Sequence, residues 1–144
     1  MIKKLKCILL IDDSELSTFY HKFILEKVQC TEQIISFQNG KEALNYMINC
    51  SQKGETLPEL IFLDINMPVM DGWQFLEEFK QFKSNHKVVT IMLSSSVLLN
   101  DKVRALKYDF VRDYITKPLK EENVNEILSQ HFPPLIGIYN LNKN

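Results

Sequence analysis

The residues able to do chemistry cluster at the ends of short apolar runs. Asp12 and Asp13 close the run that starts at Cys7, Asp64 closes Leu60–Leu63, Ser94 closes Val88–Leu93, and Lys117 follows Tyr114–Ile115. If those runs are parallel strands of one sheet, all of them end on the same edge, where ligands of open α/β sheets bind. Three carboxylates, a hydroxyl and an ammonium would then share one shallow site. Three carboxylates so close repel one another unless a cation or proton neutralises them. An open, all-oxygen donor set with few protein ligands suits Mg²⁺, which keeps waters and bridges phosphate oxygens. The chemistry expected is phosphoryl transfer, in which charge neutralisation and positioning carry most of the work. Asp64 is the expected acceptor, Lys117 a charge partner for a phosphate oxygen, and Ser94 a hydrogen-bond donor.

The elements that must position these groups follow from hydrophobic periodicity. Cys7–Ile11, Ile34–Phe37, Leu60–Leu63, Val88–Leu93 and Tyr114–Ile115 read as short strands, the continuous apolar ones buried on both faces. Helical spacing intervenes each time. Leu16, Phe19, Tyr20, Phe23, Ile24 and Val28 form one stripe, and Ala43, Leu44, Met47 and Ile48 a second. Phe75, Leu76, Phe79 and Phe82 follow Gly72; Leu99, Val103 and Leu106 form a weaker stripe; Val124, Ile127 and Leu128 form the last. Asn39-Gly40 signals a turn, Ser51–Pro58 a polar loop, and Asp71-Gly72 a turn into a helix. Five βα units in succession predict a doubly wound, five-stranded parallel sheet with helices on both faces, joined by right-handed crossovers. One domain over residues 1–132 is expected, with 133–144 as a C-terminal tail and no output domain. The apolar stretch Pro134–Tyr139 in that tail is expected to pack back on the domain rather than bind a partner.

Bulk properties narrow the function. The chain has 144 residues, 45% of them apolar, enough for a single core. The net charge of −1, with no basic run, argues against nucleic-acid binding. Lys3, Lys4 and Lys6 read as solvation of an entering strand. The N-terminal apolar run is too short to span a membrane, and no cleavage-site pattern follows it, so a cytoplasmic protein is expected. Cys7, Cys30 and Cys50 have no metal-like spacing and read as small buried residues in a reducing compartment. His21, His86 and His131 read as surface or satisfied histidines. Alone, Asp12-Asp13 suits a helix cap equally well; with Asp64 and Lys117 at neighbouring strand ends, that reading becomes the lesser one.

Four strings carry a resemblance. Ile11-Asp12-Asp13, Phe62–Gly72 (Phe-Leu-Asp-Ile-Asn-Met-Pro-Val-Met-Asp-Gly), Ile91–Ser94 and Asp113–Pro118 together resemble the response-regulator receiver family, in its order and over nearly the whole chain to about Phe132. The resemblance implies a flavodoxin-like (βα)5 fold and residue roles. Asp64 matches the phosphorylated aspartate, Asp13 the direct metal ligand and Asp12 its partner acting through water. Asn66 matches the position whose backbone carbonyl completes the Mg²⁺ shell. Ser94 matches the switch hydroxyl, Tyr114 the aromatic switch, and Lys117 the phosphate-binding lysine before a typically cis Pro118. It further implies a sensor histidine kinase or histidine phosphotransfer protein as phosphodonor. It also implies a downstream protein target and a phosphorylation-dependent interaction surface, open to dimerisation. Two departures stand out. Ser95 replaces the usual Ala after the switch hydroxyl, and Lys107–Arg112 replaces a common Gly-Ala turn.

Other function classes fit less well. Haloacid-dehalogenase-like phosphohydrolases use Asp-x-Asp, whereas Asn66 stands at the second acidic position, which argues against an enzyme turning over external substrates. Pseudo-receivers that serve only as scaffolds lose an acidic residue or the lysine, and this chain keeps them all. A Rossmann or flavodoxin module lacks support because no Gly-rich loop follows the first strand.

Overall fold

A computed structural model describes residues 4–82 and 84–133. Five strands, β1 (Ile8–Ile11), β2 (Ile34–Phe37), β3 (Leu60–Leu63), β4 (Val89–Ser94) and β5 (Val111–Thr116), form one all-parallel sheet in the order β2-β1-β3-β4-β5. The chain leaves β1 toward β2 and then crosses to β3 on β1's other side. The crevice of this order therefore opens beyond the carboxyl ends of β1 and β3.

The alternation of side chains across each strand divides the core in two. Leu9, Ile11, Ile61, Leu63 and Met92 face α2 (Gly40–Gln52), α3 (Gly72–Lys80) and α4 (Leu99–Leu106), joined there by Met47, Phe75 and Phe79. Ile8, Leu10, Leu60, Phe62, Ile91 and Leu93 face α1 (Glu15–Val28) and α5 (Glu121–His131), which contribute Ile24, Leu25, Val124, Ile127 and Leu128. The central strands are buried on both faces because helices cover both, as their uninterrupted apolar runs require.

Two expected helix faces are wrong. On α1, Leu16, Phe19, Tyr20 and Phe23 are exposed, and the inward face carries His21, Ile24 and Leu25. On α4, Leu99, Val103 and Leu106 are exposed, and only Ala105 is buried. Boundaries move as well: α3 ends at Lys80, which leaves Phe82 of the expected stripe beyond the helix. The helix α2 extends to Gln52, into the expected polar loop, and β5 begins at Val111 rather than Tyr114. The cause at β5 is the segment that replaces the Gly-Ala turn. Phe110 is buried edge-on against Phe79, with ring centroids 5.3 Å apart, and its neighbour Val111 pairs with Thr90. The register then slips, so that Ile91 pairs with Asp113.

The three cysteines are buried, as the sequence leads one to expect, and burial pushes the Cys7 thiol up to about 11. His21 is buried and hydrogen-bonded, which fits the satisfied-histidine reading rather than the surface one. Lys3 and the stretch 134–139 lie outside the described residues.

Candidate functional site

The end of β1 delivers two carboxylates with different surroundings. Asp12 is buried and Asp13 exposed. Asp12 Oδ1 accepts the Ser14 N–H at 2.9 Å, and Oδ2 accepts the Ser17 Oγ–H at 2.8 Å. Ser14 caps α1 by accepting the Ser17 N–H, so the acidic pair is free of that duty.

The end of β3 delivers Asp64, also buried, whose Oδ1 accepts the Ile65 N–H at 2.8 Å. The loop behind it is held tightly. Gly72 donates its N–H to the Ile65 carbonyl at 2.7 Å, and a Cβ at position 72 would lie 2.4 Å from the Asp64 carbonyl oxygen. Only glycine tolerates that approach. Met70 N–H bonds back to the Pro68 carbonyl around Val69, whose φ is +68°. Asp71 then caps α3 in a capping box with Gln74.

The end of β5 delivers Lys117, followed by a cis bond to Pro118. Its Nζ lies 2.7 Å from Asp12 Oδ2 and 3.1 Å from Asp64 Oδ2. One ammonium thus serves two carboxylates, and the two sides of that arrangement titrate differently. Asp64 is raised above the usual carboxylate range by burial, with Asp12 pushing the same way and Lys117 only partly opposing. Burial pushes Lys117 down, but the hydrogen bond to Asp12 and the charge of Asp64 more than offset it, so its net shift is upward. The site therefore holds more negative charge than its lysine neutralises. Asp12, Asp13 and Asp64 each offer an oxygen within 4.8 Å of the others. A donor set of carboxylates only, with Asp13 open to water, fits a hard cation that keeps part of its hydration.

A family match adds to this geometry. The family described as the response regulator receiver domain matches residues 8–129. This chain belongs to that family. The receiver is 31% identical to a two-component response regulator from Cytophaga hutchinsonii, with a TM-score of 0.84 over 91% of this chain and 99% of that one. It is also 31% identical to Protein PilG of Pseudomonas aeruginosa, over 88% of this chain and 87% of that protein. Receivers also occur inside larger proteins: the chain is 28% identical to the sensor histidine kinase CheAY of Helicobacter pylori over 85% of its own length but spans only 14% of that protein.

Among the receiver's expected site residues, Asp12, Asp13, Asp64 and Lys117 come together directly. Ser94 is fully buried at the end of β4, where its Oγ accepts the Ser96 N–H at 3.1 Å. Tyr114 is turned inward and buried, its hydroxyl donating to the Ser96 carbonyl at 2.9 Å. Ser96 thus bonds both residues expected to act as switches. Asn66 lies in the loop two residues beyond Asp64, with its side chain exposed. Among the described residues no helix is long and apolar enough to cross a membrane. Sequence reasoning missed Ser17 and His21. Their signal was a second stripe on α1, Ser17, His21, Ile24, Leu25 and Val28, at spacings as helical as the first.

Proposed function

We propose that Asp64 accepts a phosphoryl group in a Mg²⁺-dependent reaction, from a sensor histidine kinase or a histidine phosphotransfer protein. The observation that carries this reading is the Lys117 ammonium spanning Asp12 and Asp64 in a cluster with surplus negative charge. An Asp64 carboxylate oxygen forms the new bond to phosphorus as the bond to the donor's leaving group breaks. Lys117 then has a phosphoryl oxygen to neutralise in place of a bare carboxylate. Asp12, Asp13 and Asp64, with the Asn66 backbone carbonyl, are the groups to hold the cation. When bound, Mg²⁺ supplies charge neutralisation for the carboxylates and the incoming phosphoryl oxygens. Asn66 leaves no acid at the position a phosphohydrolase would use, which supports a signalling module over an enzyme acting on external substrates.

The signal leaves through Ser94 and Tyr114. Ser94 Oγ accepts the Ser96 N–H and keeps its own hydrogen to donate; phosphoryl oxygens are strong acceptors that draw this O–H toward Asp64 and pull on the Ser96 segment bonded to it. The Ser96 segment also holds the Tyr114 hydroxyl, so a shift there biases Tyr114 between two orientations. The surface of α4, β5 and α5 changes with it and is the surface offered to a downstream protein or a second copy.

The test is incubation with Mg²⁺ and acetyl phosphate followed by intact mass. One phosphate adduct is expected in the wild type and none in Asp64→Asn or without Mg²⁺. Full labelling of Asp64→Asn would overturn the assignment.

A further inference from the structure

Asp12 Oδ2 is approached from two directions that lead back to the same stretch of chain. Lys117 Nζ reaches it directly, at 2.7 Å. Ser17 Oγ also reaches it, at 2.8 Å, and lies 3.3 Å from His21 Nδ1. His21 Nε2 in turn accepts the backbone N–H of Leu119 at 3.2 Å. Leu119 is two residues beyond Lys117, across the cis bond to Pro118. The loop that carries the lysine is therefore gripped at both ends by one carboxylate oxygen.

The donors and acceptors along this path assign themselves. A carboxylate only accepts, so the Ser17 hydroxyl hydrogen points to Asp12. A backbone N–H only donates, so His21 Nε2 carries no proton and Nδ1 does. The Nδ1–H then donates to Ser17 Oγ, whose own hydrogen is committed elsewhere. The ring is neutral: burial, then Lys117, push it down to about 4, with Asp12 opposing only in part. His21 is 3% exposed, and Leu119 is fully buried. A buried Leu119 N–H without this acceptor would be left unpaired.

We propose that Ser17 and His21 are positioning residues, a hydrogen-bonded strut between Asp12 and the Leu119 amide that fixes where Lys117 stands. The strut rests on the reading of Asp12, Asp64 and Lys117 as the phosphoryl site. It explains why α1 turns a serine and a histidine inward while aromatic side chains of the same helix face solvent. It also has a consequence beyond placement. A cation or phosphoryl group that draws on Asp12 or Lys117 disturbs both ends of the loop, so the start of α5 registers the event through the strut as well as through the lysine.

The experiment compares wild type, Ser17→Ala, His21→Gln and His21→Leu by two readouts. The first is the rate of Asp64 labelling by acetyl phosphate with Mg²⁺, followed by intact mass. Ser17→Ala and His21→Leu should be slower by roughly tenfold, the scale expected when a charged group is held slightly out of place. His21→Gln should recover part of the rate, because an amide can accept from Leu119 and donate to Ser17. The second readout needs no phosphorylation: the Leu119 amide signal in nitrogen–proton NMR on titrating Mg²⁺. It should move in wild type and move much less in Ser17→Ala, which keeps the α1 cap because Ser14 supplies it. Imidazole nitrogen shifts should show the Nδ1–H tautomer in wild type. Equal labelling rates in Ser17→Ala and wild type, or equal Leu119 responses to Mg²⁺, would overturn the strut while leaving the phosphoryl site intact. Absence of labelling in wild type, with a Leu119 response that depends on Ser17, would remove the functional reading and leave the strut. If His21→Leu does not fold, Ser17→Ala and His21→Gln decide the question.

Discussion

Helices α1 and α3 carry aromatic residues at matching spacings and treat them in opposite ways. On α3, Phe75 and Phe79 are fully buried and stacked, with ring centroids 5.4 Å apart. On α1, Phe19 and Phe23 are 73% and 56% exposed. Neither propensity nor periodicity separates the two. What separates them is what each helix must do at its start. Helix α3 begins after a loop already closed by Gly72 and the Asp71 capping box, so its inward face only has to fill space. Helix α1 begins two residues after the acidic pair, and its inward face has to hydrogen-bond Asp12 and the Leu119 amide. Polar demands at the site choose the rotation of α1, and its aromatic stripe points out as a result.

The sharpest way to break this comparison is to truncate one phenylalanine on each helix. Phe79→Ala should cost about 3–5 kcal/mol, as deletion of a buried ring does. Phe19→Ala should stay within about 0.5 kcal/mol of wild type, as surface changes do. Urea unfolding of the two variants settles it; comparable losses would mean that α1 is packed the other way round.

A smaller effect comes from the polar face of α1. A base whose pKa falls on folding binds its proton more readily in the unfolded chain. The stability tied to that shift is complete above pH 6.5 and is lost as the pH falls through about 4. The loss for His21 is worth roughly 3 kcal/mol at most. His21→Gln has no such group, so the gap between wild type and variant should narrow steadily across that window in pH-dependent unfolding. A constant gap would mean that the ring is not held neutral. No matching histidine exists on α3, where the same pH series on Phe79→Ala should run parallel to wild type.

The smallest effect lies at the outer edge of α3. Trp73, the only tryptophan, is half-buried, and the Arg104 guanidinium of α4 lies over its ring at 4.0 Å from the centroid. Arg104→Ala should cost about 0.5–1 kcal/mol and shift Trp73 fluorescence to the red as the ring gains solvent. An unchanged spectrum would show that the cation does not cover the ring in solution.

These contrasts also mark how far the sequence could be read. The strand ends were legible because each is a contiguous string: an apolar run followed at once by its polar residue, with no packing choice involved. Asp12, Asp13, Asp64, Ser94 and Lys117 were therefore placed correctly on the sheet edge. The orientations of α1 and α4 were not legible. Helix α1 bears two overlapping stripes, and hydrophobicity favours the one that the structure exposes. Helix α4 buries a single small residue, Ala105, while its apolar stripe of Leu99, Val103 and Leu106 faces solvent, so its periodicity points to the wrong face. The Ser17–His21–Leu119 connection spans 98 residues between its histidine and its amide, so no local pattern announces it. The early start of β5 depends on Phe110 finding Phe79, another contact between distant segments.

The buried cysteines lend the molecule a property of a different kind. Cys7 precedes β1 and Cys50 lies in the last turn of α2, close enough for their charges to interact, while Cys30 is buried where the chain leaves α1. A thiol reagent in solution reaches none of them until the covering structure opens, and while it is closed burial holds the Cys7 thiol at about 11, poor in reactive thiolate. Modification then proceeds at the frequency of local opening. The unaltered thiols can therefore time the opening around the Cys7–Cys50 pair and the opening around Cys30, without a label being engineered into the chain.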